Sequence, residues 1–165
     1  MRKPILLIDF DGVLHSYKTG WQGATKIPDL PVPGALQFLV EATHYFRVNI
    51  YSSRSNQWSG KRAMKKWLFY HYIKISGIDE KDRWKLPESS ENCPDWWFNW
   101  IAQTAFADPW EDEVKYAISK LLKLIKFPTK KPAAFLTIDD RCFCFKGTFP
   151  DTAELLKFMP WHKGD

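Results

Sequence analysis

The sequence predicts an α/β protein built on a mainly parallel sheet flanked by helices, and three observations predict it. Short apolar runs alternate with stretches of helical periodicity. The runs end in hydroxyl or acidic residues, where functional loops collect in such sheets. No internal repeat or linker divides residues 1–165, so they read as one domain. The first run, Pro4 to Phe10, is rich in Ile and Leu and reads as a buried parallel strand ending at Asp11-Gly12. Residues 15–33 hold two Gly and three Pro without sustained periodicity, the pattern of a long loop or small flap. Leu36, Leu39, Val40 and Phe46 follow Pro33-Gly34 near helical spacing. Val48 to Tyr51 is a second strand, ending in Ser52-Ser53-Arg54.

A second helix is marked by Met64, Trp67, Leu68, Tyr72 and Ile75, although Ile73 to Ile75 also fits a short strand. Residues 76–112 are the least legible, mixing Pro87, Pro94 and Pro109 with Trp96-Trp97-Phe98-Asn99-Trp100; a small lid is one reading of them. Val114, Ile118, Leu121, Leu122 and Ile125 mark a further helix with Lys115, Lys120, Lys123 and Lys126 on its outer face. Ala133 to Ile138 reads as a third buried strand and Cys142 to Phe145 as a fourth. Asp151 and Glu154 form a capping-box pattern before Leu155, Leu156 and Phe158, a closing helix.

A chain of 165 residues is long enough to enclose a core, and 45% hydrophobic with 26% charged residues is a globular composition. The net charge of +5 favours anionic partners in general. No stretch approaches the roughly 18 apolar residues of a membrane helix, and the N-terminal apolar run is too short for a signal core. Three cysteines, an odd number, point to a reducing cytoplasm. Cys142 and Cys144 lack the second ligand pair a zinc site needs and read as core thiols.

The chemistry concentrates at Asp9-Phe10-Asp11-Gly12-Val13. Two acids closing a buried strand are costly unless a cation or a hydrogen-bonded loop neutralises them. A phosphoryl group needs an in-line nucleophile, charge neutralisation and a proton for the leaving alcohol. Asp9 suits the nucleophile, forming an aspartyl-phosphate, and Asp11 suits the acid that protonates the leaving oxygen and later activates water. Mg²⁺ takes hard oxygen ligands, which Asp9, the Asp11 main-chain carbonyl and an acid of Asp139-Asp140 would supply.

Four motifs resemble those of the haloacid dehalogenase (HAD) superfamily, in that family's order: Asp9-x-Asp11-Gly12-Val13, Ser52 closing the next core strand, Lys131 before the last strand, and Ile138-Asp139-Asp140-Arg141. The resemblance implies a Rossmann-like core and a Mg²⁺-dependent phosphatase. Ser52 would then bond a phosphate oxygen, Lys131 (with Lys130 as the alternative) would neutralise nucleophile and phosphate, and Gly12 would free backbone amides near the phosphate. Asp140 is expected as the direct metal ligand and Asp139 as the partner of Lys131 or of a metal-bound water. Ser53, Arg54 and Arg141 would reach substrate, with surface ion pairs as the competing role for the two arginines. Members acting on haloacids typically lack the second acid of the first motif, so Asp11 favours phosphate-ester hydrolysis.

Neither the 15–33 interval nor the longer stretch between Arg54 and Lys130 has obvious room for a folded cap, which implies a capless or minimally capped enzyme. Ser52-Ser53-Arg54 and Asp139-Asp140-Arg141 are also similar to motifs of nucleotide-directed and nucleic-acid-end phosphatases. A nucleotide or nucleic-acid-end phosphate is therefore the expected substrate, with exposed aromatics to stack bases and the 113–126 lysines to meet phosphates. Against this, Trp96-Trp97-Trp100 reads more readily as a core or oligomer-contact cluster, and the lysines as a solvated face. The alternatives are a phosphatase of small esters, a phosphotransferase or end-healing subunit with a kinase or ligase partner, and a non-catalytic nucleic-acid-binding module on the same fold.

Overall fold

A computed structural model describes residues 2–76, 95–104, 111–142, 147, 155, 157 and 159–163. Three parallel strands form a sheet in the order β2-β1-β3: β1 (Ile5–Ile8), β2 (Arg47–Ile50) and β3 (Leu136–Ile138). In register, Ile8 lies between Ile50 and Ile138. β1 is central, and its Leu6, Leu7 and Ile8 are all buried, which is why its sequence is continuously apolar rather than alternating. On the outer side of β2, Ile50 N–H donates to the Lys126 carbonyl (2.8 Å) and Lys126 N–H to the Val48 carbonyl (3.0 Å), so the chain at 126 continues the parallel pairing by one residue.

Helices cover the sheet. α1 (Ala35–Tyr45) buries Leu36, Leu39 and Val40, as their spacing requires. α2 (Trp58–Ile75) buries Met64, Trp67, Leu68 and Tyr72 and ties to α1 through Tyr72 Oη donating to the Leu36 carbonyl at 2.8 Å. Ile73 to Ile75 are helical, which settles the strand alternative. Gly60 sits against the Arg54 carbonyl, where any Cβ would collide with backbone, so the start of α2 can fold back on the 52–56 turn.

Part of the illegible interval proves to be α3 (Asp95–Thr104); its Trp97 and Trp100 are core, with Trp96 partly buried against them. Trp97 is fully buried, stacks on Tyr72 (4.7 Å between centroids) and on Trp100 (5.1 Å), and donates Nε1–H to Ser76 Oγ at 2.6 Å. The aromatic run is thus packing surface against the end of α2. α4 (Glu111–Leu124) buries Val114, Ala117, Ile118 and Leu121.

β3 is shorter than the 133–138 run and less buried than expected, with Leu136 half-exposed; it is the sheet edge among the described residues. The expected strand at 142–145 lies outside the described residues except for Cys142, an exposed free thiol rather than a core one. The closing helix after Asp151, and a lid in 77–94 or 105–110, also fall outside them. Among the described residues no helix is long and apolar enough to cross a membrane.

Candidate active site

Parallel pairing in register brings the residues after the three strands to one level: Asp9 after β1, Ser52 just beyond β2, Asp139 after β3. Asp9 N–H donates to the Ile138 carbonyl (2.9 Å) and Tyr51 N–H to the Ile8 carbonyl (3.0 Å), so this level is held by the backbone. A cleft of about 290 Å³ opens there, lined by Asp9, Asp11, Ser52, Ser53, Lys131, Asp139 and Arg141, with Tyr17 and Thr137. Seven residues singled out in sequence thus share one cavity, although they come from positions 9 to 141.

Gly12 and Asp140 sit beside it. Gly12 has φ +88°, and a Cβ there would come 2.5 Å from Asp140 Oδ2. Glycine is required on both counts, backbone conformation and space.

Asp9, Asp139 and Asp140 each offer an oxygen, all within 4.8 Å of one another. Three carboxylates at that spacing repel unless protonated or bridged by a cation. Asp9 shows the consequence: burial, reinforced by the charges of Asp139, Asp11 and Asp140, pushes its carboxyl up to about 7 against the bond its Oδ1 accepts from Phe10 N–H (2.7 Å). Asp140 is also raised, first by burial and then by Asp139, with Arg141 and His162 opposing. Both Asp140 oxygens are buried without a partner in hydrogen-bonding geometry, although His162 Nδ1 is 3.2 Å and Arg141 Nε 3.6 Å from Oδ2. Orphaned carboxylate oxygens and an all-oxygen donor set fit a hard divalent cation such as Mg²⁺. Asp139 and Asp140 enter the trio together, so the expected division between ligand and lysine partner is not visible in it; Asp139 Oδ1 accepts from Arg141 N–H at 2.9 Å.

The Asp11 carboxylate is absent from that trio. It accepts from Arg54 Nε (2.9 and 3.1 Å to its two oxygens) and lies 3.0 Å from His15 Nδ1 and 3.3 Å from Ser52 Oγ. Asp29 N–H donates to His15 Nε2 (3.1 Å), which leaves the Nδ1 proton to face Asp11. Burial alone would raise the Asp11 carboxyl, but the His15 and Arg54 hydrogen bonds and the Arg54 charge outweigh it and hold it below the ordinary range.

Two expectations change here. Arg54, expected at the substrate, is wholly buried, and Nη1 donates to the carbonyls of Gly23, Ala24 and Lys26 at 2.7, 3.0 and 3.0 Å. Its fork of donors suits converging carbonyls, so it straps the 15–33 loop onto Asp11 instead of reaching solvent. Ser52, expected on a phosphate oxygen, lines the cleft but has its hydroxyl on Asp11 and accepts Arg54 N–H at 3.3 Å, capping the turn Ser53–Asn56. Lys131, Ser53 and Arg141 are exposed along the cleft, where an anion would enter.

Tyr17, Thr137, Trp161 and His162 carry no local sequence signal for this site. Trp161 Nε1 donates to the Gly12 carbonyl at 2.6 Å from 149 positions away, a contact no spacing rule anticipates. His15 alone had a hint, standing four residues after Asp11. Comparison with models of known families, with curated proteins and with solved structures found no match.

Proposed function

We propose that the chain is a Mg²⁺-dependent phosphomonoesterase with a HAD-type, Rossmann-like core, acting through an aspartyl-phosphate on Asp9. The observation that carries this reading is the acidic trio, of which Asp9 and Asp139 line the cleft that also holds Asp11, Ser52 and Lys131, with Asp140 beside it. The central position of β1 between β2 and β3, with residue 126 beyond β2, supports the core assignment.

Asp9, Asp139 and Asp140 would hold Mg²⁺, whose charge, when bound, offsets that of the carboxylates and of the phosphoryl oxygens. Asp9 Oδ attacks phosphorus as the alcohol leaves; Asp11 gives that alcohol its proton and then takes one from the water that hydrolyses the acyl phosphate. Lys131, exposed on the rim, draws the anion in and neutralises it. Arg54 and His15 favour the ionised Asp11 that the second step needs; for the first, Asp11 takes up a proton from solvent as the phosphate dianion binds, its proton affinity raised by the dianion's charge. Exposure of the rim and the chain's positive charge favour a nucleotide or nucleic-acid-end phosphate. The free thiol of Cys142 accords with a reducing, cytoplasmic setting.

A second reading, a non-catalytic nucleic-acid-binding module, draws on Asp11 being so fully engaged by Arg54, His15 and Ser52. Hydrolysis of an aryl phosphate with and without Mg²⁺ separates the two. Turnover that requires Mg²⁺ and vanishes in Asp9→Asn supports the enzyme; no turnover with any divalent cation supports the module.

A further inference from the structure

A second concavity, of about 600 Å³, lies apart from the acidic cleft. Lys61, Arg62, Lys65 and Lys126 line it with Trp58, Ile125 and Phe127, and among the described residues no carboxylate does. Trp58, Lys61, Arg62 and Lys65 stand at positions i, i+3, i+4 and i+7 of α2, hence on one face of its first two turns. The first turn of α2 holds no acid, so the positive end of an 18-residue helix adds to the four cations.

The cations are set against the rings. The Arg62 guanidinium lies 5.4 Å from the Trp58 ring centre and the Lys65 ammonium 5.2 Å from that of Phe127. Lys61 Nζ is held by Thr129 Oγ1 at 2.9 Å. Trp58 is nonetheless 71% exposed, unlike the packed Trp67, Trp97 and Trp100. A large exposed ring among cations has no packing role; it offers a stacking surface beside backbone-binding charge.

The same two chain segments border both cavities. Ser53 lines the cleft and Trp58 the groove; Lys126 lines the groove and Lys131 the cleft. Five residues span at most about 18 Å, so the cavities are neighbours.

We propose that this groove binds single-stranded nucleic acid, with Trp58 stacking a base and Arg62, Lys65 and Lys126 meeting the backbone, and that it leads the strand's phosphorylated end into the acidic cleft. The second half rests on the phosphatase reading; the first does not. Exposed aromatic surface favours a single strand over a duplex, whose bases are already stacked, and over an acidic protein, which has no base to stack.

The test is fluorescence anisotropy of an unphosphorylated, labelled 12-nucleotide thymidine strand on the full chain in chelator, so that no chemistry intervenes. Trp58→Ala should weaken binding about tenfold or more. The Arg62→Gln/Lys65→Gln double variant should flatten the log-affinity against log-salt slope by about 1.4, from two lost phosphate contacts. Unchanged affinity in both variants, with circular dichroism unchanged, overturns the groove. Heparin binding as tightly as the strand, with Trp58→Ala indifferent, overturns the strand assignment in favour of a polyanion without bases. In Mg²⁺, both variants should keep aryl-phosphate turnover and lose about tenfold in kcat/KM on the end-phosphorylated strand. Absence of aryl-phosphate turnover in the wild type, with the binding results intact, removes the phosphatase reading and leaves the groove standing.

Discussion

Asp9 and Asp11 leave the same strand two residues apart, yet their surroundings are opposite. The Asp9 side is a cluster of acids with few donors: Phe10 N–H is what offsets burial and three like charges, and the carboxyl is pushed up to about 7. The Asp11 side is rich in donors: Arg54, His15 and Ser52 converge on one carboxylate, which is held low. Proximity in sequence therefore says little about protonation; the direction each side chain takes decides it. Two titratable groups driven apart by their environments are also what divided roles in an active site require. Their protein surroundings alone make the expected nucleophile the more protonated of the two and the expected acid the less. A cation in the trio would reverse the first, and a phosphate dianion would oppose the second.

Asp9→Asn breaks the acidic side most completely. An amide is neither a nucleophile nor a full ligand, so turnover should fall about 10⁴-fold or more, without loss of fold. Single-turnover assays in Mg²⁺ check it, and near-normal rates would end the mechanism. On the other side, Asp11→Asn removes the proton donor while keeping the backbone. It should cost about 10²–10⁴-fold on alkyl phosphates and much less on activated aryl phosphates, whose leaving groups need no acid. Equal losses on both substrate types would take Asp11 out of that role.

Arg54 tests whether the donors on the Asp11 side are structural, functional or both. Arg54→Gln removes the cation from a buried carboxylate, leaving it His15 and Ser52, and takes the donor from three loop carbonyls, so unfolding free energy should drop by about 3–5 kcal/mol. Proteolysis should then begin within 15–33, the loop this side chain straps down. The pH optimum should rise as well, because the group that held Asp11 low is gone. A stable variant with an unshifted profile would show that Arg54 contributes little to either.

How much of this was legible in sequence follows from how local each signal is. β1 and α1 were readable because burial fixes their side-chain pattern within a few residues: Leu6, Leu7 and Ile8 for the strand, Leu36, Leu39 and Val40 for the helix. The members of the cleft were readable for a similar reason, since acids and hydroxyls directly after apolar strands fall at one sheet edge. What they do there was not. Arg54 reads in sequence as a free cation beside a phosphate site, but its role depends on carbonyls some 30 residues away. Trp97 and Trp100 read more readily as core or oligomer contact than as a base-stacking surface, but the partners they pack on, Tyr72 and Ser76, have no signal in the run itself. Trp58, in contrast, has no signal in the sequence and is the most exposed tryptophan among the described residues. Surface and core aromatics look alike in sequence when the partner helix is distant.

The smallest expected effect is a stability change, and it probes the acidic side without any catalysis. The Asp9 carboxyl is raised in the folded chain from 3.8 to about 7, so between those values the folded state binds more protons than the unfolded state. Its contribution to stability is complete below about 4 and is lost as pH rises through 7. Asp11 has the opposite sign: its carboxyl is lowered, so its contribution is present above the ordinary carboxylate range and is lost in acid. Burial holds the His71 imidazole down to about 4, so its contribution grows with pH up to 6.5 and offsets that of Asp9 there; in chelator the melting temperature should therefore decline mainly above 6.5, to about pH 8, and Asp9→Asn should remove most of that decline. Mg²⁺ competes with the proton for the same oxygens. It should stabilise little at pH 5 and most at pH 8, by about 2.7 kcal/mol when present at a hundred times its dissociation constant. Thermal melts over pH and Mg²⁺ concentration measure this directly. A pH-independent midpoint in chelator, or equal stabilisation by Mg²⁺ in wild type and Asp9→Asn at pH 8, would mean that Asp9, Asp139 and Asp140 do not act as one cation site.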